Sequence, residues 1–179
     1  MSAVVVYESI YGNTRAIAEA IAEGLGGAEV LPVHEAANRA EDTELLVAGG
    51  PTHVHGMSTT RSREMAVEAV HEDGDAHHLE PGAAEEPGLR AWIRDLPESK
   101  GGRAAAFDTR ADKSPWLTGA ASRGIAKRLR RRGYEVLGTE SFLVEDSEGP
   151  LVDGELERAR AWGAELAKSL PTPASEAPR

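Results

Sequence analysis

Short apolar runs alternate with helical patterns along nearly the whole chain, and that order constrains the fold more than any other feature. Strands are expected over 3–7, 29–33, 44–48, 103–107 and 134–144. Helices are expected over 14–26, 60–70, 89–96, 116–132 and 155–170. Ala18, Ile21 and Leu25 share one helical stripe. Leu117, Ala121, Ile125 and Leu129 share another, and Leu156, Ala159, Gly163, Leu166 and Leu170 a third. Leu45-Leu46-Val47-Ala48 is apolar throughout, as in a strand covered on both faces. Strand–helix alternation of this kind specifies a parallel sheet between two helical layers, an α/β/α sandwich. Five strands suit the order 2-1-3-4-5, in which ligands bind beyond the carboxyl ends of the strands where the order reverses.

The predicted domain covers residues 1–170. Within it, residues 71–88 are acidic and rich in Gly and Pro, which predicts a surface insertion away from the ligand mouth. Residues 171–179 read as a disordered tail. The chain has 179 residues and no cysteine, so disulfides, thiolate metal sites and a cysteine nucleophile are excluded. A reducing cytoplasm is the expected setting. No apolar run is long enough to span a membrane as a helix, and no secretory leader is read at the N-terminus. A net charge of −10 argues against nucleic acid and anionic membranes as partners, and suits a cationic protein.

Three loops should open at the carboxyl edge of the sheet: 8–14, 50–56 and 108–116. The first reads Glu8-Ser9-Ile10-Tyr11-Gly12-Asn13-Thr14. Gly12 permits a tight turn, Ser9 and Thr14 supply hydroxyls, and the following helix start offers free N–H groups. That is the chemistry of an anion site, although Asn13 as a plain helix cap would explain the same residues. No Gly-Lys-Ser/Thr follows, so the loop is not a nucleotide P-loop. The second loop holds Pro51, Thr52, His53, Val54, His55 and Gly56, and the third holds Asp108, Thr109, Arg110 and Trp116. Three distant segments thus converge on one mouth.

These residues carry a resemblance. Ser9-Ile10-Tyr11-Gly12-Asn13-Thr14 resembles the phosphate loop of flavodoxins and related FMN proteins. Gly49-Gly50-Pro51-Thr52-His53 is similar to their flavin-ring loop. Phe107-Asp108-Thr109-Arg110, with Trp116, looks like their third loop. The resemblance spans most of residues 2–170, with no long interruption in the last strand, as in the short-chain type. It implies a flavodoxin-like fold, FMN as cofactor, and electron transfer. It assigns the phosphate to Ser9, Ile10, Tyr11, Gly12, Asn13 and Thr14, and the ring to the residues named in the other two loops. A peptide within 54–57 would present its carbonyl near flavin N5. One departure is Tyr11, where flavodoxins usually carry Thr, which moves a hydroxyl away from the backbone.

Three functions follow as alternatives. The first is an FMN electron carrier, with a reductase and an acceptor enzyme as redox partners and no catalytic residue of its own. The second is an FMN-dependent NAD(P)H:quinone reductase. The third is a binding module that has lost FMN. His53 and His55 are expected at the flavin rather than on a metal. His71, His77 and His78, with Glu72, Asp73 and Asp75, match no firm metal spacing. The basic run over 127–132 either complements the helix dipole or docks an acidic partner.

Overall fold

The computed structural model describes residues 2–37, 39–40, 43–53, 56–73, 79–83, 85–113, 119–146 and 148–170. The strands are β1 (Ala3–Tyr7), β2 (Glu29–Pro32), β3 (Leu45–His53), β4 (Gly56–Met57), β5 (Arg103–Ala111) and β6 (Glu135–Val144). The helices are α1 (Asn13–Gly24), α2 (Thr60–Asp73), α3 (Leu89–Asp95), α4 (Ala121–Arg131) and α5 (Glu155–Lys168), with a 3-10 turn over Val33–Glu35. The five long strands are parallel, in the order β2-β1-β3-β5-β6. Counting only those, this is the expected 2-1-3-4-5.

Strand alternation sorts the core into two layers. Val4, Val6, Leu46, Ala48, Ala104 and Ala106 face α3 and α4, where Trp92, Ile93, Ile125 and Leu129 are buried. Val5, Leu45, Val47, Ala105 and Phe107 face α1 and α5, where Ile17, Ile21, Ala159 and Leu166 are buried. Each fully buried side chain of Ile or Leu size contributes roughly 1.5–3 kcal/mol. Helices α1 and α5 touch backbone to backbone. A Cβ on Gly24 would lie 2.1 Å from the Arg160 carbonyl oxygen, and one on Gly163 would lie 2.3 Å from that of Ile21. Any side chain at either position would force the helices apart.

Two strands run past their expected ends. The sequence suggests that β3 stops at Ala48 and β5 at Phe107. In the structure Gly49↔Phe107, Gly50↔Asp108 and Pro51↔Thr109 remain paired, and β5–β6 pairing continues to Ala111↔Val144. A backbone between two partners keeps its ladder whatever its residues' propensity. The turn-like residues Gly49–Thr52 and Asp108–Arg110 are therefore strand, held rigidly beneath the mouth.

The last helical stripe forms as expected, with Leu170 just beyond the helix end. The helix expected from 116 begins at Ala121, and Leu117 lies outside the described residues. The insertion differs more. Its first residues continue α2 to Asp73, and its second half returns to the mouth. Glu80 N–H donates to the Ile10 carbonyl at 2.7 Å. The tail, 171–179, lies outside the described residues.

Candidate functional site

The first loop leaves β1 buried. Glu8 N–H is tied to the Gly49 carbonyl at 2.9 Å, so the loop starts from the sheet edge itself. Ser9 Oγ accepts the Gly12 N–H at 3.1 Å and closes the turn. Gly12 has φ 85°, in the left-handed region that side chains other than Gly rarely adopt. It is the N-cap of α1, and no side chain caps that helix. Asn13 is therefore not the cap. It is the first helical residue, and its Nδ2 donates to the Glu148 carbonyl at 2.8 Å. Ala16 N–H bonds to the Gly12 carbonyl. The N–H groups of Asn13, Thr14 and Arg15 have no acceptor among the described residues. That is the donor set an anion uses at a helix start.

Thr14 Oγ1 and Thr109 Oγ1 share a hydrogen bond of 2.7 Å, which joins the first loop to β5. Thr52 Oγ1–H donates to Asp108 Oδ2 at 3.0 Å, and the same Thr52 oxygen accepts the Ala121 N–H at 2.9 Å. Ser122 N–H also reaches Asp108 Oδ2, at 2.9 Å. The ends of β1, β3 and β5 and the start of α4 are thus one bonded unit. Asp108 is fully buried, so its carboxylate braces this unit from beneath. Ile10 is buried as well, and its carbonyl is taken by Glu80.

Pro51, Thr52 and His53 end β3, and Gly56–Met57 pairs back onto it as β4: Thr52↔Met57 and His53↔Gly56. The second loop is therefore a tight hairpin. Its tip, Val54 and His55, lies outside the described residues, as does Trp116. His53 is held below the ordinary imidazole pKa by burial, partly offset by the Glu8 charge, so its ring is neutral near pH 7. His53 Nε2, Asp108 Oδ1 and Arg110 Nε are buried polar atoms with no partner among the described residues. Arg110 Nη1 donates to the Lys113 carbonyl at 2.7 Å. Three orphaned polar atoms on adjoining strand ends suit a cofactor with a polar edge. Tyr11 is half-buried, and its phenol is pushed up first by burial and then by Glu148.

Several supporting residues were not anticipated. Glu8 lies buried under the first loop, where its carboxylate accepts the Ser58 hydroxyl, the Leu89 N–H at 2.8 Å and Arg63 Nη1 at 3.5 Å. Arg63 is equally buried and also pairs with Glu86. A lone carboxylate right after an apolar strand was the available signal for Glu8. Glu80 was hidden in the insertion. Its carboxylate stands beside Gly12 and pairs with Arg15 at 3.0 Å, and burial pushes its pKa up. No group of His, Asp and Glu able to hold a metal occurs among the described residues. The His71 side chain, His77 and His78 lie outside them. No described helix is long and apolar enough to cross a membrane.

The fold has solved counterparts. A flavodoxin from the domain Archaea matches with a TM-score of 0.59 at 20% identity, covering 94% of this chain and 98% of that one. A Streptococcus pneumoniae flavodoxin matches with a TM-score of 0.63 at 15% identity, covering 95% and 100%. A Fusobacterium nucleatum flavodoxin mutant bound to flavin mononucleotide matches with a TM-score of 0.56 at 12% identity, covering 95% and 97%. At such identities these likenesses speak for the fold. A search of curated proteins finds no match. The flavodoxin family model matches residues 5–162, most of the 179. The chain therefore belongs to the flavodoxin family of FMN-binding electron carriers.

Proposed function

We propose that FMN sits at the carboxyl edge of the sheet, its phosphate on residues 9–14 and its ring between the β3–β4 hairpin and the end of β5. The observation that carries this reading is the open start of α1. Among the described residues three N–H groups lack acceptors there, at the helix start that the Thr14–Thr109 bond ties to β5. Ser9 and Thr14 each retain a hydroxyl proton or lone pair for the phosphate, and Gly12 lets backbone approach it. His53, Thr52 and Gly56 flank the ring on one side, and Thr109 and Arg110 on the other. Val54, His55 and Trp116 belong to the same proposal from sequence alone.

When bound, FMN supplies one- and two-electron redox chemistry. This chain's residues bind, orient and tune it. Neutral His53 offers an uncharged ring contact. No residue has to move a proton for outer-sphere transfer. The carrier would pass electrons between a reductase and an acceptor enzyme, with its negative surface meeting cationic faces.

FMN added to the cofactor-stripped protein should lose its fluorescence, and NADPH alone should leave the bound flavin oxidised. Rapid reduction by NADPH without a partner protein would favour the NAD(P)H:quinone reductase alternative. Failure of FMN to bind at tens of micromolar would contradict both.

A further inference from the structure

The chain carries a net charge of −10, yet five of the six residues over 127–132 are cations. They close α4, and the helix dipole accounts for cations in a last turn. It does not account for Arg90, which comes from α3. Arg90 Nη2 donates to the Met57 carbonyl at 2.8 Å, and its Nε to the Ser58 carbonyl at 3.3 Å. Arg128 Nη1 donates to the Gly124 carbonyl at 3.1 Å. A Cβ built on Gly124 would lie 3.5 Å from Met57 Cγ and 3.6 Å from Arg128 Nη1. Both guanidiniums therefore flank Met57, at the foot of the β3–β4 hairpin.

Arg90 and Arg131 stand near enough to repel Arg128, and no described carboxylate offsets their effect on it. Arg15, Arg39, Arg63, Arg94, Arg158 and Arg160 all have acidic partners. Among the described residues Arg90, Arg128 and Arg131 form no ion pair, and neither do Arg61, Arg110, Arg123, Arg130 and Arg132; the three are set apart by standing together. Two of the three spend N–H groups on backbone carbonyls. That restricts their planes and leaves further N–H donors on each guanidinium unspent. A guanidinium held this way is pre-organised for a carboxylate and loses little freedom on binding one.

We propose that Arg90, Arg128 and Arg131 form a docking face, beside the β3–β4 hairpin, for one redox-partner protein whose docking surface is acidic, separate from the acidic surface that meets partners with cationic faces. The cations come from two helices and continue along the last turn of α4 through the exposed Lys127 and Arg130. That spread matches a protein face rather than a single small anion. The remaining surface is predominantly acidic and repels the same partner, so one orientation is selected. The value of that orientation for electron transfer rests on the flavin placement proposed above. The binding itself does not.

The test uses a fluorescein-labelled 20-residue poly-L-glutamate as the probe, followed by anisotropy at low salt. Both FMN-free and FMN-loaded protein are titrated, so a failed flavin reading leaves the result intact. Wild type should bind, and binding should weaken as salt rises. The triple variant R90Q/R128Q/R131Q should bind about tenfold more weakly. K168Q, at the exposed end of α5 in the opposite helical layer, should bind like wild type. If the triple variant loses its fold by circular dichroism, the exposed single substitution R131Q is read instead, with about a twofold loss expected. No binding by wild type, or equal binding by the arginine variants, overturns the proposal.

Discussion

Arg63 and Arg158 each sit between two carboxylates, and they do different work. Arg63 is buried beneath the mouth, against the equally buried Glu8 and the exposed Glu86. Arg158 is 40% exposed at the open edge of β6, against Glu155 and Glu140. The Glu155 carboxylate accepts the Leu143 N–H at 2.7 Å, and Arg158 donates to the Ser141 carbonyl at 2.5 Å. Those two side chains satisfy an edge strand that would otherwise present bare backbone to other chains. Arg63 instead joins the first loop, α2 and the segment before α3. Burial sets the difference in cost. Water can replace Arg158, whereas nothing can replace Arg63 without stranding a charge.

The largest expected effect follows directly. Arg63→Met should destabilise the fold by about 3 kcal/mol, read from the urea midpoint, because Glu8 is left buried without its cation. It should also weaken FMN binding, since Glu8 supports the loop. Arg158→Gln should cost about 1 kcal/mol and leave FMN affinity unchanged. Its guanidinium also lies 4.6 Å from the Phe142 ring centre, a contact the amide would lose. Equal losses for the two substitutions would erase the distinction between mouth and edge.

Acid should sharpen it. Glu86 is held below its ordinary value of 4.5, first by the Gly88 N–H and then by Thr60 and Arg63, against the opposing effect of burial. Its folded pKa is depressed, so its stabilisation is full above that ordinary value and is lost as pH falls through the folded one. The stability gap between wild type and Glu86→Gln should therefore close on acidification below about pH 4.5. A gap that widens would mean the wrong partners have been named. The smallest effect belongs to Glu80, whose carboxylate beside Gly12 opposes an incoming phosphate. Glu80→Gln should tighten FMN binding roughly threefold in a fluorescence titration.

The sheet order was legible because apolar runs and helical stripes alternate cleanly, from Val4-Val5-Val6 to the Ala159–Leu166 face. Strand ends were not legible. Gly49–Thr52 and Asp108–Arg110 look like turns, yet neighbouring strands hold them in the ladder. The convergence of Thr14, Thr52 and Thr109 was readable from topology. The Thr14–Thr109 bond and the Thr52–Asp108 bond were not, because each joins residues far apart in sequence. The insertion misled most. Its composition says solvent, while Glu80 is drawn in by one backbone bond to Ile10 and one ion pair to Arg15. Asn13 shows the same limit on a smaller scale: a capping residue by type, it was pulled one position into the helix by Gly12 and given the Glu148 carbonyl instead.

The central claim is that residues 9–14 hold the flavin's phosphate. Riboflavin has the same ring without that group. Titrating stripped wild type and Thr14→Ala with FMN and with riboflavin isolates the phosphate's share of the binding. Wild type should prefer FMN by about a hundredfold, the worth of one or two hydrogen bonds to a charged group. Thr14→Ala should narrow that preference while leaving riboflavin binding unchanged. Equal affinity of wild type for the two flavins would contradict the account.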